Sequence, residues 1–98
     1  MTCLLIIDDE PRQVRSLANV IRRLRPEYTV REAFDGPSGW RVLETERIDA
    51  VITDIRMPGM DGIELVAQIS ERMPHVKTVL LTGYGEFQYA REALRRGV

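Results

Sequence analysis

The chain has 98 residues, enough for one domain with a real core and too few for two. With 14 Lys and Arg against 15 Asp and Glu, its formal net charge of -1 leaves no basic excess for gripping nucleic acid by its phosphates. The single cysteine, Cys3, excludes an internal disulfide. There is no basic segment before the first apolar run and no apolar stretch near the roughly 20 residues that cross a bilayer, so a soluble, cytoplasmic, unexported chain is expected.

Cys3-Leu4-Leu5-Ile6-Ile7 is a continuous apolar run stopped by Asp8-Asp9-Glu10-Pro11, which predicts a strand buried on both faces. Val14, Leu17, Ala18, Ile21 and Leu24 then recur with helical spacing. Arg12, Arg15, Arg22, Arg23 and Arg25 fall mostly elsewhere around the wheel, giving an amphipathic helix with a solvated basic face and Pro11 in its first turn. Tyr28 to Ala33 alternates loosely and ends at Asp35-Gly36, as a shorter strand near a sheet edge would.

Pro37 opens a second helix around Trp40 and Leu43, and Asp49 to Asp54 forms a third strand. Ile63, Val66, Ile69 and Met73 mark a third helix that Pro74 stops, with Asp61 as its N-cap. Val76 to Thr82 is a fourth strand. Phe87, Ala90 and Leu94 give a last helix with a thin apolar face, ended by Gly97. Trp40 is expected to pack, Cys3 and His75 to be structural, and Tyr84, Phe87 and Tyr89 to serve either a core or an interface.

The order βαβαβαβα implies parallel strands joined by right-handed crossovers, and a ligand site beyond the carboxyl ends of the strands where the winding reverses. The first strand ends in Asp8-Asp9, the third in Asp54 and the fourth in Thr82-Gly83. If the first and third strands are neighbours, three carboxylates converge beside a hydroxyl. Two such charges about 4 Å apart repel by roughly 4 kcal/mol at an effective dielectric near 20, so a proton or a cation must offset them. An all-oxygen set suits Mg²⁺ better than Zn²⁺, for which His or Cys would be expected. A cation beside a carboxylate, a hydroxyl and backbone N–H groups suits a phosphoryl group, with Asp54 as nucleophile. Taken without Asp54, Asp8-Asp9 would serve equally well as carboxylates at a helix N-terminus.

Through Asp8-Asp9-Glu10, TDIRMPGMDG at 53–62 and LTG at 81–83, the chain resembles the receiver domain of bacterial two-component response regulators, collinearly over all 98 residues. The resemblance implies a flavodoxin-like doubly wound α/β fold with strand order 2-1-3-4. It implies that Asp54 is the phosphoacceptor, and that Asp9 and Asp54 ligate Mg²⁺ together with the backbone carbonyl of Arg56. Asp8 would act through metal-bound water, and Thr82 would hold a phosphoryl oxygen. The donor would be a sensor histidine kinase, and the domain would be a switch whose only chemistry is its own phosphorylation and dephosphorylation. The family tunes phosphoryl lifetime at positions that here are Arg56 and Tyr84. TGYGEFQYAREALRRGV resembles receivers whose proteins carry a C-terminal AraC-type DNA-binding domain, so nucleic acid would be bound outside these residues.

A complete receiver continues into a fifth strand and helix, with a switch aromatic and a phosphoryl-binding Lys. The single lysine here, Lys77, begins strand four. Residues 1–98 are therefore expected to be a C-terminally truncated receiver, self-associating through the apolar edge of strand four or through helix four. Two other readings stay open. One is a non-signalling pseudo-receiver or interaction module. The other is an Asp-nucleophile phosphohydrolase of the haloacid dehalogenase type, which wants a second Asp two residues after its nucleophile, where this chain has Glu10 or Arg56.

Overall fold

A computed structural model of the chain describes residues 2–55 and 61–81. Strands and helices alternate as β1 (Cys3–Ile7), α1 (Pro11–Leu24), β2 (Thr29–Ala33), α2 (Gly36–Thr45), β3 (Ala50–Asp54), α3 (Gly62–Arg72) and β4 (Lys77–Leu81). The strands form one parallel sheet in the order β2-β1-β3-β4. The expected doubly wound architecture is therefore present. Thr82 and the predicted fourth helix lie outside the described residues.

Strand periodicity divides the apolar side chains between two faces. Leu5, Ile7 and Val51 point to one face and pack with Leu43 of α2 and with Leu65 and Ile69 of α3. Ile6 and Val30 point to the other, where Val14 and Ala18 of α1 cover them. Among the described residues one helix covers one face and two cover the other, which reverses the winding between β1 and β3 and so fixes where a site can form. Trp40 and Cys3 pack against the first cluster, as expected of structural residues.

The helix ends follow from local chemistry. The Asp35 carboxylate accepts the Ser38 N–H at 2.7 Å and caps α2, which begins at Gly36, one residue before the expected Pro37. Asp61 accepts the Ile63 N–H at 2.7 Å and caps α3, as the sequence predicts. The N-cap of α1 is Glu10, whose side chain makes no capping bond.

The basic face of α1 is exposed, as expected of a solvated face, and one of its residues also makes a tertiary tie. Arg22 donates to Glu32 at 3.1 Å and to the Val30 carbonyl at 2.9 Å, tying the helix to the edge strand β2. At the other end of the described sheet, Val79 and Leu81 of β4 are 49% and 40% exposed. Among the described residues no helix is long and apolar enough to cross a membrane.

Candidate metal centre

Asp54 is the last residue of β3, and Asp8 and Asp9 follow β1 directly. Ile7 and Thr53 are register partners in the β1–β3 pair, so Asp8 and Asp54 stand at one level on adjacent strands, at the point where the winding reverses. Each of Asp8, Asp9 and Asp54 offers a carboxylate oxygen, and these oxygens lie within 4.8 Å of one another. Asp8 is buried, Asp54 half-buried and Asp9 exposed, so the cluster runs from the sheet end outward to solvent.

Backbone donors orient two of the three. The Glu10 N–H donates to Asp8 Oδ1 at 3.0 Å, and the Ile55 N–H donates to Asp54 Oδ1 at 2.9 Å. Burial pushes the Asp8 carboxyl above its ordinary value. The Glu10 N–H opposes that, while the charges of Asp54 and Asp9 reinforce it. A buried acid held up by burial and by like charges is a group that a cation would relieve. Because the donor set is all oxygen, these residues fit a metal ion that prefers hard ligands.

The structure thus brings together Asp8, Asp9 and Asp54. Arg56 and Thr82, the other two residues expected at the site, lie outside the described residues, as does Tyr84. Two neighbours of Asp54 were not legible as site residues. Thr53 is fully buried, and its hydroxyl donates to the Asp54 carbonyl at 3.1 Å. Gly62, the first residue of α3, donates its N–H to the Ile55 carbonyl at 2.6 Å. The sequence marks Gly62 only as the last residue of the TDIRMPGMDG motif, after the capping Asp61, and not as a neighbour of Asp54.

Residues 4–98 match the family model of the response regulator receiver domain. The chain belongs to that family. The receiver domain is 35% identical over 96 residues to the uncharacterized transcriptional regulatory protein YesN of Bacillus subtilis strain 168, covering 97% of this chain and 26% of YesN. It superposes on the crystal structure of a response regulator receiver domain protein from Clostridium thermocellum with a TM-score of 0.88 at 28% identity, covering 100% of this chain and 78% of that one. A two component transcriptional regulator AraC from Clostridium phytofermentans ISDg gives a TM-score of 0.84 at 30% identity, over 95% of this receiver domain and 73% of that chain.

Proposed function

We propose that this receiver domain accepts a phosphoryl group from a sensor histidine kinase onto Asp54, with Mg²⁺ held directly by Asp9 and Asp54 and through water by Asp8, as a switch in two-component signal transduction. The observation that carries the reading is the convergence of three carboxylates at the β1–β3 strand ends in a chain of the receiver family. The all-oxygen donor set favours Mg²⁺ over Zn²⁺.

In the transfer an Asp54 carboxylate oxygen bonds to phosphorus while the bond from phosphorus to the kinase imidazole nitrogen breaks, its electron pair leaving with the nitrogen. The Ile55 N–H fixes the orientation of the attacking carboxylate. Buried Asp8 and exposed Asp9 set the charge that has to be balanced beside it. Mg²⁺ supplies positive charge that neutralises the phosphoryl oxygens. The Arg56 carbonyl as a further ligand and the Thr82 hydroxyl on a phosphoryl oxygen belong to the same proposal.

In a longer protein the switch would control transcription through an attached DNA-binding domain. That reading is supported by similarity to YesN, named a transcriptional regulatory protein, and to the AraC regulator of Clostridium phytofermentans. Self-association would run through Val79 and Leu81 of β4, and sedimentation velocity across a concentration series measures it.

The test treats this chain and a C-terminally extended one with Mg²⁺ and a small phosphodonor or beryllofluoride, then reads mass spectra and NMR shifts. One phosphoryl group on Asp54, lost in Asp54→Asn, is the expected result. No response from either chain would leave a pseudo-receiver, and steady turnover of a phosphomonoester would point to a phosphohydrolase.

A further inference from the structure

We propose that Gly62 is a positioning residue for Asp54. Having no Cβ, it lets the first turn of α3 close against the Asp54–Ile55 peptide, and this contact fixes where the Asp54 carboxylate meets those of Asp8 and Asp9. The proposal rests on Asp54 being the phosphoacceptor and a metal ligand, and it adds to that site a residue that touches neither metal nor phosphoryl group.

A Cβ built on Gly62 would run into the Asp54 carbonyl oxygen, and would lie 2.9 Å from the Asp54 carbonyl carbon and 3.1 Å from Ile55 Cα. All three are backbone atoms, so none can swing aside as the end of a side chain can. The contrast within the same molecule is Gly39 of α2, whose Cβ would meet side-chain atoms of Ile7, with Cγ1 at 2.9 Å.

Neither partner in the Gly62 contact has room to withdraw. Helix α3 is anchored by Leu65 and Ile69, both fully buried, and its entry is held by the Asp61 cap and by the Gly62 N–H bond to the Ile55 carbonyl. The peptide is held by the fully buried Ile55 side chain and by the pairing of β3 with β1 and β4. A methyl group at position 62 therefore displaces the peptide from which the Asp54 side chain springs. Mg²⁺ demands near-ideal octahedral geometry, so a shift of a few tenths of an ångström at Asp54 is felt at the site. Helix propensity alone argues the opposite, since Ala is favoured over Gly within a helix.

The experiment compares Gly62→Ala with Gly39→Ala and wild type. In metal-free protein the Asp54 ¹³Cγ and Ile55 amide resonances should move in Gly62→Ala and stay in place in Gly39→Ala. In Mg²⁺ titrations followed by the same signals, Gly62→Ala should bind about tenfold more weakly or worse, the scale of a lost supporting contact to a metal ligand, while Gly39→Ala keeps wild-type affinity. Unmoved Asp54 resonances in a folded Gly62→Ala, or unchanged Mg²⁺ affinity where wild type binds, overturns the proposal. A Gly62→Ala chain that stays unfolded even in a stabilising osmolyte also overturns it, because Gly62 would then serve the fold as a whole. A wild type that ignores Mg²⁺ removes the metal reading, and the metal-free resonances still decide the positioning role.

Discussion

Asp8 and Asp54 stand one residue beyond the register pair Ile7–Thr53, so two carboxylates leave adjacent parallel strands at the same level, the first of them buried. Asp9 adds a third on the solvent side. Each strand was bound to end somewhere, but ending both on Asp concentrates negative charge at the carboxyl edge of the sheet. That arrangement costs stability unless a cation is present.

Mg²⁺ should therefore raise the melting temperature of the chain, and a chelator should reverse the rise. Linkage gives about 2.7 kcal/mol of stabilisation at a free ligand concentration of roughly a hundred times Kd. Asp9→Asn and Asp54→Asn should lose most of that response. A wild-type melting curve insensitive to millimolar Mg²⁺ would count against the site.

Asp8→Asn should melt higher than wild type in the absence of metal at neutral pH, and should bind Mg²⁺ more weakly. Burial raises the Asp8 carboxyl, so between the unfolded and folded values the native chain holds more protons than the unfolded one. Stability therefore falls as pH rises through that window, which opens near the unfolded value of about 3.9. The gain from Asp8→Asn should be largest above the window and vanish below it. Thermal melts of both proteins across acid to neutral pH, with chelator present, check the sign.

These carboxylates were legible because an apolar run that stops on Asp marks both the end of a strand and the position of a charge. Asp8 and Asp54 are each fixed by the length of their own strand, and the β1–β3 pairing brings them together. The pairing itself follows from the alternation of strands and helices and from the family resemblance. Gly62 was not legible, since its contact with Asp54 depends on how closely α3 approaches β3, a distance set by Leu65 and Ile69 packing in three dimensions. The pairing of Arg22 with Glu32 was hidden for a similar reason. On a helical wheel Arg22 lies on the polar face, and only the neighbouring edge strand turns it into a tie.

Asp35 should show the opposite pH sign to Asp8. Its hydrogen bonds from Ser38 hold the carboxyl below its ordinary value, so its contribution is present above the unfolded value and is lost as pH falls through the folded one. Asp35→Ala should lower the melting temperature at neutral pH and converge with wild type in acid. Asp35→Asn keeps a capping oxygen and should be the milder change. Circular dichroism melts of the three proteins at neutral and acid pH provide the comparison.

Ile69→Ala should separate loss of stability from loss of site geometry. Ile69 is fully buried against the sheet, and removing such a side chain typically costs 2–5 kcal/mol, roughly a third of a small domain's stability. Ile69 also holds α3 down, and the first turn of α3 is what presses on the Asp54–Ile55 peptide. The substitution should therefore weaken Mg²⁺ binding in the molecules that remain folded. Val30→Ala removes packing on the opposite face, where among the described residues Val30 clusters with Ile6, Val14 and Ala18 and not with α3. It should lower the denaturation midpoint and leave Mg²⁺ affinity as in wild type. Urea titration gives the stability of each variant, and NMR-detected Mg²⁺ titration of the folded fraction gives the affinity. Equal affinities in the two variants would mean that the packing of α3 does not reach the site.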